Sequence, residues 1–157
     1  MKKITDFGPH DHDGWPHPKE LEHYFLAPPS QRWFFERRND NAALLGEGAY
    51  GTERLDLGKG RIDVGLVMWG NRDLGVLLHY LKVGGGHEQR CYSKGDVNRQ
   101  LDWVSSVHGD TLPVGLFVPY ATAWTAVKEF IETDGELPKS IEWIADDDLP
   151  PGTFPDP

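Results

Sequence analysis

Imidazole and carboxylate groups crowd one short stretch of the chain, His10-Asp11-His12-Asp13, with His17 and His23 following. Such groups bind Zn²⁺ or Cu²⁺ when three or four of them converge on one point. Here Gly8, Pro9, Gly14 and Pro16 punctuate the stretch and nothing in the pattern rigidifies it. It reads as a solvated loop, with a metal site as the alternative. Gly84-Gly85-Gly86-His87 has the backbone freedom of an anion cradle, but that mechanism needs a helix N-terminus directly behind the glycines and usually a Lys with Ser or Thr. Residues 87–92 read as a strand instead, so the glycines read as a turn between strands. Cys91 and His87 share one face of that strand as a nominal nucleophile and base, yet at about 3.3 Å per residue they stand roughly 13 Å apart, beyond hydrogen-bond reach. Asp56, Asp63, Asp73, Asp96, Asp102 and Asp110 fall in or beside strand candidates without catalytic spacing. The chain offers no catalytic residue, no resident metal and no cofactor site by this reading.

Residues suited to binding stand out more. Trp69 and Trp103 sit near strand ends, beside Gly70-Asn71-Arg72 and Gln100-Leu101-Asp102, where an exposed aromatic can anchor a partner. The formal net charge is −9, from 25 acidic and 16 basic residues. That balance argues against nucleic acid or an anionic membrane as a direct ligand. From Asp134 onward seven acids (Asp134, Glu136, Glu142, Asp146, Asp147, Asp148 and Asp156) face Lys139 alone, so −6 of the −9 lies there. The run Asp146-Asp147-Asp148 would steer a basic partner toward the molecule; a bland role in solubility is the alternative.

These side chains must be positioned by elements that the pattern partly reveals. Residues 3–7 read as a first strand, and residues 18–26 as a short helix with Leu21, Tyr24 and Phe25 on one face and Pro28-Pro29 as its stop. Residues 32–37 read as a strand. Residues 39–60, broken by Gly46, Gly48, Gly51, Gly58 and Gly60, read as a long loop or a ragged edge strand. The clearest strands are residues 62–69 and 75–81, joined by a hairpin loop at Gly70-Asn71-Arg72-Asp73. Residues 88–92, 101–104 and 114–118 add three more. After Pro119, Ala123, Trp124, Val127, Phe130 and Ile131 recur at helical spacing, with Thr125, Lys128, Glu129 and Glu132 on the opposite side. Gly135 and Pro138 are expected to end that helix, and residues 140–144 read as a last strand before the aspartates. Trp124 and Trp143 read as core. Hairpin strands with a helix near each end give an α+β fold: a largely antiparallel sheet with about two helices packed on one face, in a single domain. The domain spans residues 1–145, residues 146–157 read as an acidic, Pro-rich tail, and its end from Leu149 to Pro157 reads as extended and mobile.

The order of these elements resembles a known family. Pro119, then Ala126-Val127-Lys128-Glu129-Phe130, Thr133-Asp134-Gly135-Glu136-Leu137-Pro138 and Glu142-Trp143 are similar to the ending of a family of immunity proteins from bacterial polymorphic toxin systems. Residues 62–86 and Tyr92-Ser93-Lys94-Gly95-Asp96 resemble its central strands and Gly-rich connection. The resemblance covers roughly residues 60–145; Asp134 adds a residue to the usual helix-ending turn, and residues 1–50 and 146–157 match nothing in it. It implies a non-enzymatic inhibitor of a cognate toxin domain in a system of interbacterial competition, and the toxins paired with this family are mostly deaminases.

Composition agrees with a small binding protein. A chain of 157 residues suffices for one core. It has no run of eighteen apolar residues, no apolar stretch after Lys2-Lys3 to make a secretory signal, and one cysteine, so the expectation is a reduced, cytoplasmic protein. Two functions follow: an immunity protein that blocks the active site or substrate groove of a basic toxin, with Trp69, Trp103, Asp146, Asp147 and Asp148 as contact candidates; or a small cytoplasmic enzyme with a metal in the His/Asp-rich N-terminal segment.

Overall fold

A computed structural model of the chain describes residues 1–8, 10–26 and 40–155, with the backbone alone at residues 10–12. Among the described residues eight strands form one sheet. In chain order these are β1 (Lys2–Phe7), β2 (His10–Asp13), β3 (Asn41–Glu47), β4 (Asp63–Asn71), β5 (Gly75–Gly84), β6 (His87–Ser93), β9 (Phe117–Val118) and β10 (Trp143–Ala145). The spatial order is β10-β6-β5-β4-β3-β1-β2, with β9 also paired to β5, and every pairing is antiparallel. A separate hairpin joins β7 (Trp103–Ser105) and β8 (Thr111–Pro113). Helices α1 (Pro18–Leu26) and α2 (Tyr120–Glu132) pack on one face of the sheet and on each other. The fold is α+β, as the pattern predicts.

The two-residue period of a strand decides which residues meet the helices. Leu44, Leu66, Tyr80 and Cys91 form one cross-strand row and Ala42, Met68 and Leu78 the next; all seven are buried. Against them lie Leu21, Tyr24 and Phe25 from α1 and Ala123, Trp124, Val127 and Phe130 from α2. The expected stripe of α2 is therefore the buried one, with Ile131 at its margin. Trp124 is core, whereas Trp143 is only half-buried: it packs on the cluster's rim and donates its indole N–H to the Pro138 carbonyl at 2.7 Å.

Three local expectations need correction. Residues 41–47, inside the stretch read as a loop or ragged edge, form an interior strand between β1 and β4. Ala42-Ala43-Leu44-Leu45 is apolar toward both faces, which hides the alternation of a half-buried strand. The expected strand at residues 114–118 is mostly a 3-10 turn, Val114–Leu116, before the two residues of β9. There the buried Ser93 hydroxyl donates to the Leu116 carbonyl at 2.6 Å and accepts from the Leu78 amide at 2.9 Å, standing in for a ladder bond. Third, residues 149–154, expected to be extended, do not run away from the domain. Asp146–Asp148 form a 3-10 turn, Leu149 packs on the sheet, and Thr153 is buried. The expected strand at residues 32–37 lies outside the described residues.

The end of α2 also departs from the simplest reading. The left-handed residue directly after the helix cap is Asp134, with φ 54°, and Gly135 follows at φ 92°. The Gly135 amide donates to the Phe130 carbonyl and the Asp134 amide to that of Ile131, the paired bonds of a Schellman turn. A Cβ at Gly135 would come within 2.6 Å of Val64, so glycine permits the turn to press on the sheet.

Candidate partner interface

The sheet face away from the helices carries the candidate site. Its rows follow from register: Ala43, Val67, His79, Tyr92 and Ile144 form one, Asn41, Trp69 and Leu77 the next, and Leu45, Gly65, Leu81 and Arg90 the row on the other side. About half of this face is covered. Leu112, Leu116 and Phe117 pack on Leu77, joined by Trp69, Leu74, Tyr92, Val104, Ile144 and Leu149. Among the described residues nothing packs on the other half in that way, and Ile4, Ala43, Leu45, Val67, Leu81 and Val83 are each half-buried. Lys2, Asp6, Glu88 and Arg90 border that strip by register. An apolar centre with a polar rim is the anatomy of a protein interface.

The covered half ends in an aromatic series. His79 stacks on Tyr92 with ring centroids 4.2 Å apart and planes 8° from parallel, and the Phe154 ring lies 5.0 Å from Tyr92. Trp103 donates its indole N–H to the Thr153 carbonyl at 2.9 Å and remains 43% exposed. Phe154, Leu101 and Val97 are exposed as well. Trp69 sits deeper, half-buried, and its indole N–H has no hydrogen-bond partner among the described residues. Asp146, Asp147 and Asp148 are exposed where β10 ends, one residue beyond Ile144–Ala145. The contact candidates read from the sequence thus gather around one face: Trp69 in its covered part, Trp103 at its margin, and the aspartates on its lip.

Charge and burial shape that lip. His79 is pushed down to about 4, chiefly by burial of its imidazole, then by the Arg90 guanidinium, with Asp146 opposing. The Tyr92 phenol is pushed up to about 12 by burial and by Asp146. At neutral pH His79 is an uncharged ring that packs, so the positive charge near the lip comes from Arg90. His79, Tyr92 and Phe154 were not among the sequence candidates. A strict alternation through residues 77–83 would have placed His79 beside Leu77 and Leu81, but nothing local shows that the tail returns to cover Tyr92.

Among the described residues no group of three or more His, Cys, Asp or Glu side chains could hold a metal. Residues 10–13 form edge strand β2 rather than a loop, paired to β1, and the side chains of residues 10–12 lie outside the described set. Gly85-Gly86 is a two-residue turn with φ 57° and 82°, closing the β5–β6 hairpin as expected. Cys91 is buried on the helix side, and burial pushes its thiol up, away from the reactive thiolate. No helix among the described residues is long and apolar enough to cross a membrane.

Among the described residues an antiparallel sheet, two helices on one of its faces and a partly apolar opposite face define a small α+β domain. The family model described as Immunity protein Imm1 matches residues 41–145, about two-thirds of the chain, and the chain belongs to that family. No curated protein and no solved structure matches it.

Proposed function

We propose that this chain neutralises a cognate toxin by binding it through the helix-free sheet face, and that the toxin is a basic, nucleic-acid-acting deaminase met in the cytoplasm. Family membership supports the immunity role. The convergence of the open apolar strip, Trp103 and Asp146–Asp148 on one side of the molecule is the observation that carries the choice of surface. An inhibitor of this kind needs a surface and no catalytic group. Deaminases hold a zinc-activated water in a pocket that admits a flipped or single-stranded base, beside a groove that tracks the phosphate backbone. An acidic lip beside an apolar patch suits such a groove: the patch supplies adhesion, and the aspartates take the place of phosphates. The deaminase identity rests on the family resemblance.

The test is co-expression with the toxin domain encoded by the neighbouring gene. A stable complex that protects cells is expected, and Trp103→Ala should weaken it by about tenfold or more while the fold melts as before. Absence of any complex would sink the immunity reading. An unchanged affinity for Trp103→Ala together with Val67→Arg would move the interface elsewhere.

A further inference from the structure

Among the described residues the outer edge of β6 is unpaired along half its length. β10 pairs with Cys91, Tyr92 and Ser93 only; at Asp146 the chain leaves the sheet in its 3-10 turn. His87, Glu88, Gln89 and Arg90 are all exposed. The phase of the ladder says which backbone groups face outward. The two-residue turn Gly85-Gly86 is closed by the pair Gly84–His87, a hydrogen-bonded pair, so Gln89 and Cys91 also bond inward to β5. Glu88 and Arg90 therefore direct their N–H and C=O groups away from β5, in line with the bonds that Tyr92 makes to Ile144 on β10. Their side chains rise from the sheet face, where they pair with each other at 3.4 Å, and do not block the edge.

The edge opens into a notch of about 380 Å³ lined by Glu88, Gln89, Arg90, Cys91, Ala145, Asp146 and Asp147. Glu88 and Arg90 offset one another, and no ion pair among the described residues engages Asp146 or Asp147. Unpaired strand edges accept a further strand through main-chain bonds, and the charge of the lining selects which. We propose that the outer edge of β6 at Glu88 and Arg90 is a strand-addition site that takes an extended, lysine- or arginine-bearing segment of the toxin in line with β10, its cations meeting Asp146 and Asp147. This rests on the immunity reading and adds the docking mode to it.

Arg90→Pro deletes one outward N–H without touching the bonds to β5, a change that edge strands tolerate. Arg90→Ala removes the side chain and keeps the N–H. With the full chain and the toxin domain of the neighbouring gene, Arg90→Pro should weaken binding by about tenfold or more and Arg90→Ala by far less, since one bond and its orphaned partner are lost only in the first. Amide exchange in the wild-type chain gives a readout independent of any variant. The Glu88 and Arg90 amides should exchange freely alone and become protected in the complex. If the complex forms while these amides exchange as in the free chain, or if Arg90→Pro binds as wild type does with its melting temperature intact, strand addition is wrong and the immunity reading survives. If no complex forms, both fall.

Discussion

The Tyr80 hydroxyl donates a 2.9 Å hydrogen bond to the Gly135 carbonyl, tying the middle of β5 to the turn that ends α2 across 55 residues of chain. Tyr50 donates to the same oxygen at 3.1 Å. Burial pushes both phenols up, so both remain protonated donors through the physiological range. Two donors on one carbonyl imply that neither single deletion exposes its full cost. Tyr80→Phe and Tyr50→Phe should each destabilise by about 1 kcal/mol, while the double variant leaves a buried carbonyl without a partner and should lose about 1–3 kcal/mol beyond the sum. Denaturant melts of the four forms measure the coupling; strict additivity would mean water replaces the phenols.

Trp143→Ala should cost about 3 kcal/mol, the lower end of the range for truncating a large aromatic, because the ring is only half-buried. Its loss removes the contact with Tyr80, whose ring centroid is 6.2 Å away, and the bond to Pro138. Toxin binding should weaken only in proportion to unfolding. A variant that melts normally yet fails to protect cells would place Trp143 in the interface instead.

Replacing Asp146, Asp147 and Asp148 together by Asn removes three exposed charges at nearly constant volume. Exposed charges act over about 8–10 Å at physiological ionic strength, so the effect should fall on the association rate. Slower association and a shallower salt dependence are expected, with little change in melting temperature. A wild-type rate that ignores salt would remove steering from the argument.

His79 makes stability depend on pH. Its folded value is depressed to about 4 against an ordinary 6.5, so below pH 6.5 the unfolded chain binds a proton that the folded chain refuses. The stabilisation is fully present above 6.5 and is lost as pH falls toward 4. His79→Phe keeps an aromatic ring against Tyr92 and cannot titrate, so its stability should fall less between pH 7 and 4.5 than that of the wild type. Parallel pH profiles for the two proteins would show that His79 does not titrate as a buried group.

What the chain announced locally was its regular elements. The stripe Ala123-Trp124-Val127-Phe130 and the hairpin around Asn71 are signals carried within about ten residues, and each appears where the pattern put it. In that hairpin the Asn71 side chain accepts from the Asp73 and Leu74 amides, a bond wholly inside the turn. Strand β3 escaped because Ala43 and Leu45 are apolar on the open face too, so no alternation survives to be read. Trp69, Trp103 and the aspartates were legible as suspects from residue type and place. Their gathering around one face was not, since it depends on registers between strands remote in sequence and on the return of residues 149–154 over Tyr92. The open edge at Glu88 and Arg90 likewise exists only because β10 ends at Ala145, opposite Cys91. Periodicity fixes the face a residue takes along its own strand; which neighbour that strand finds, and where the neighbour stops, is decided by tertiary packing.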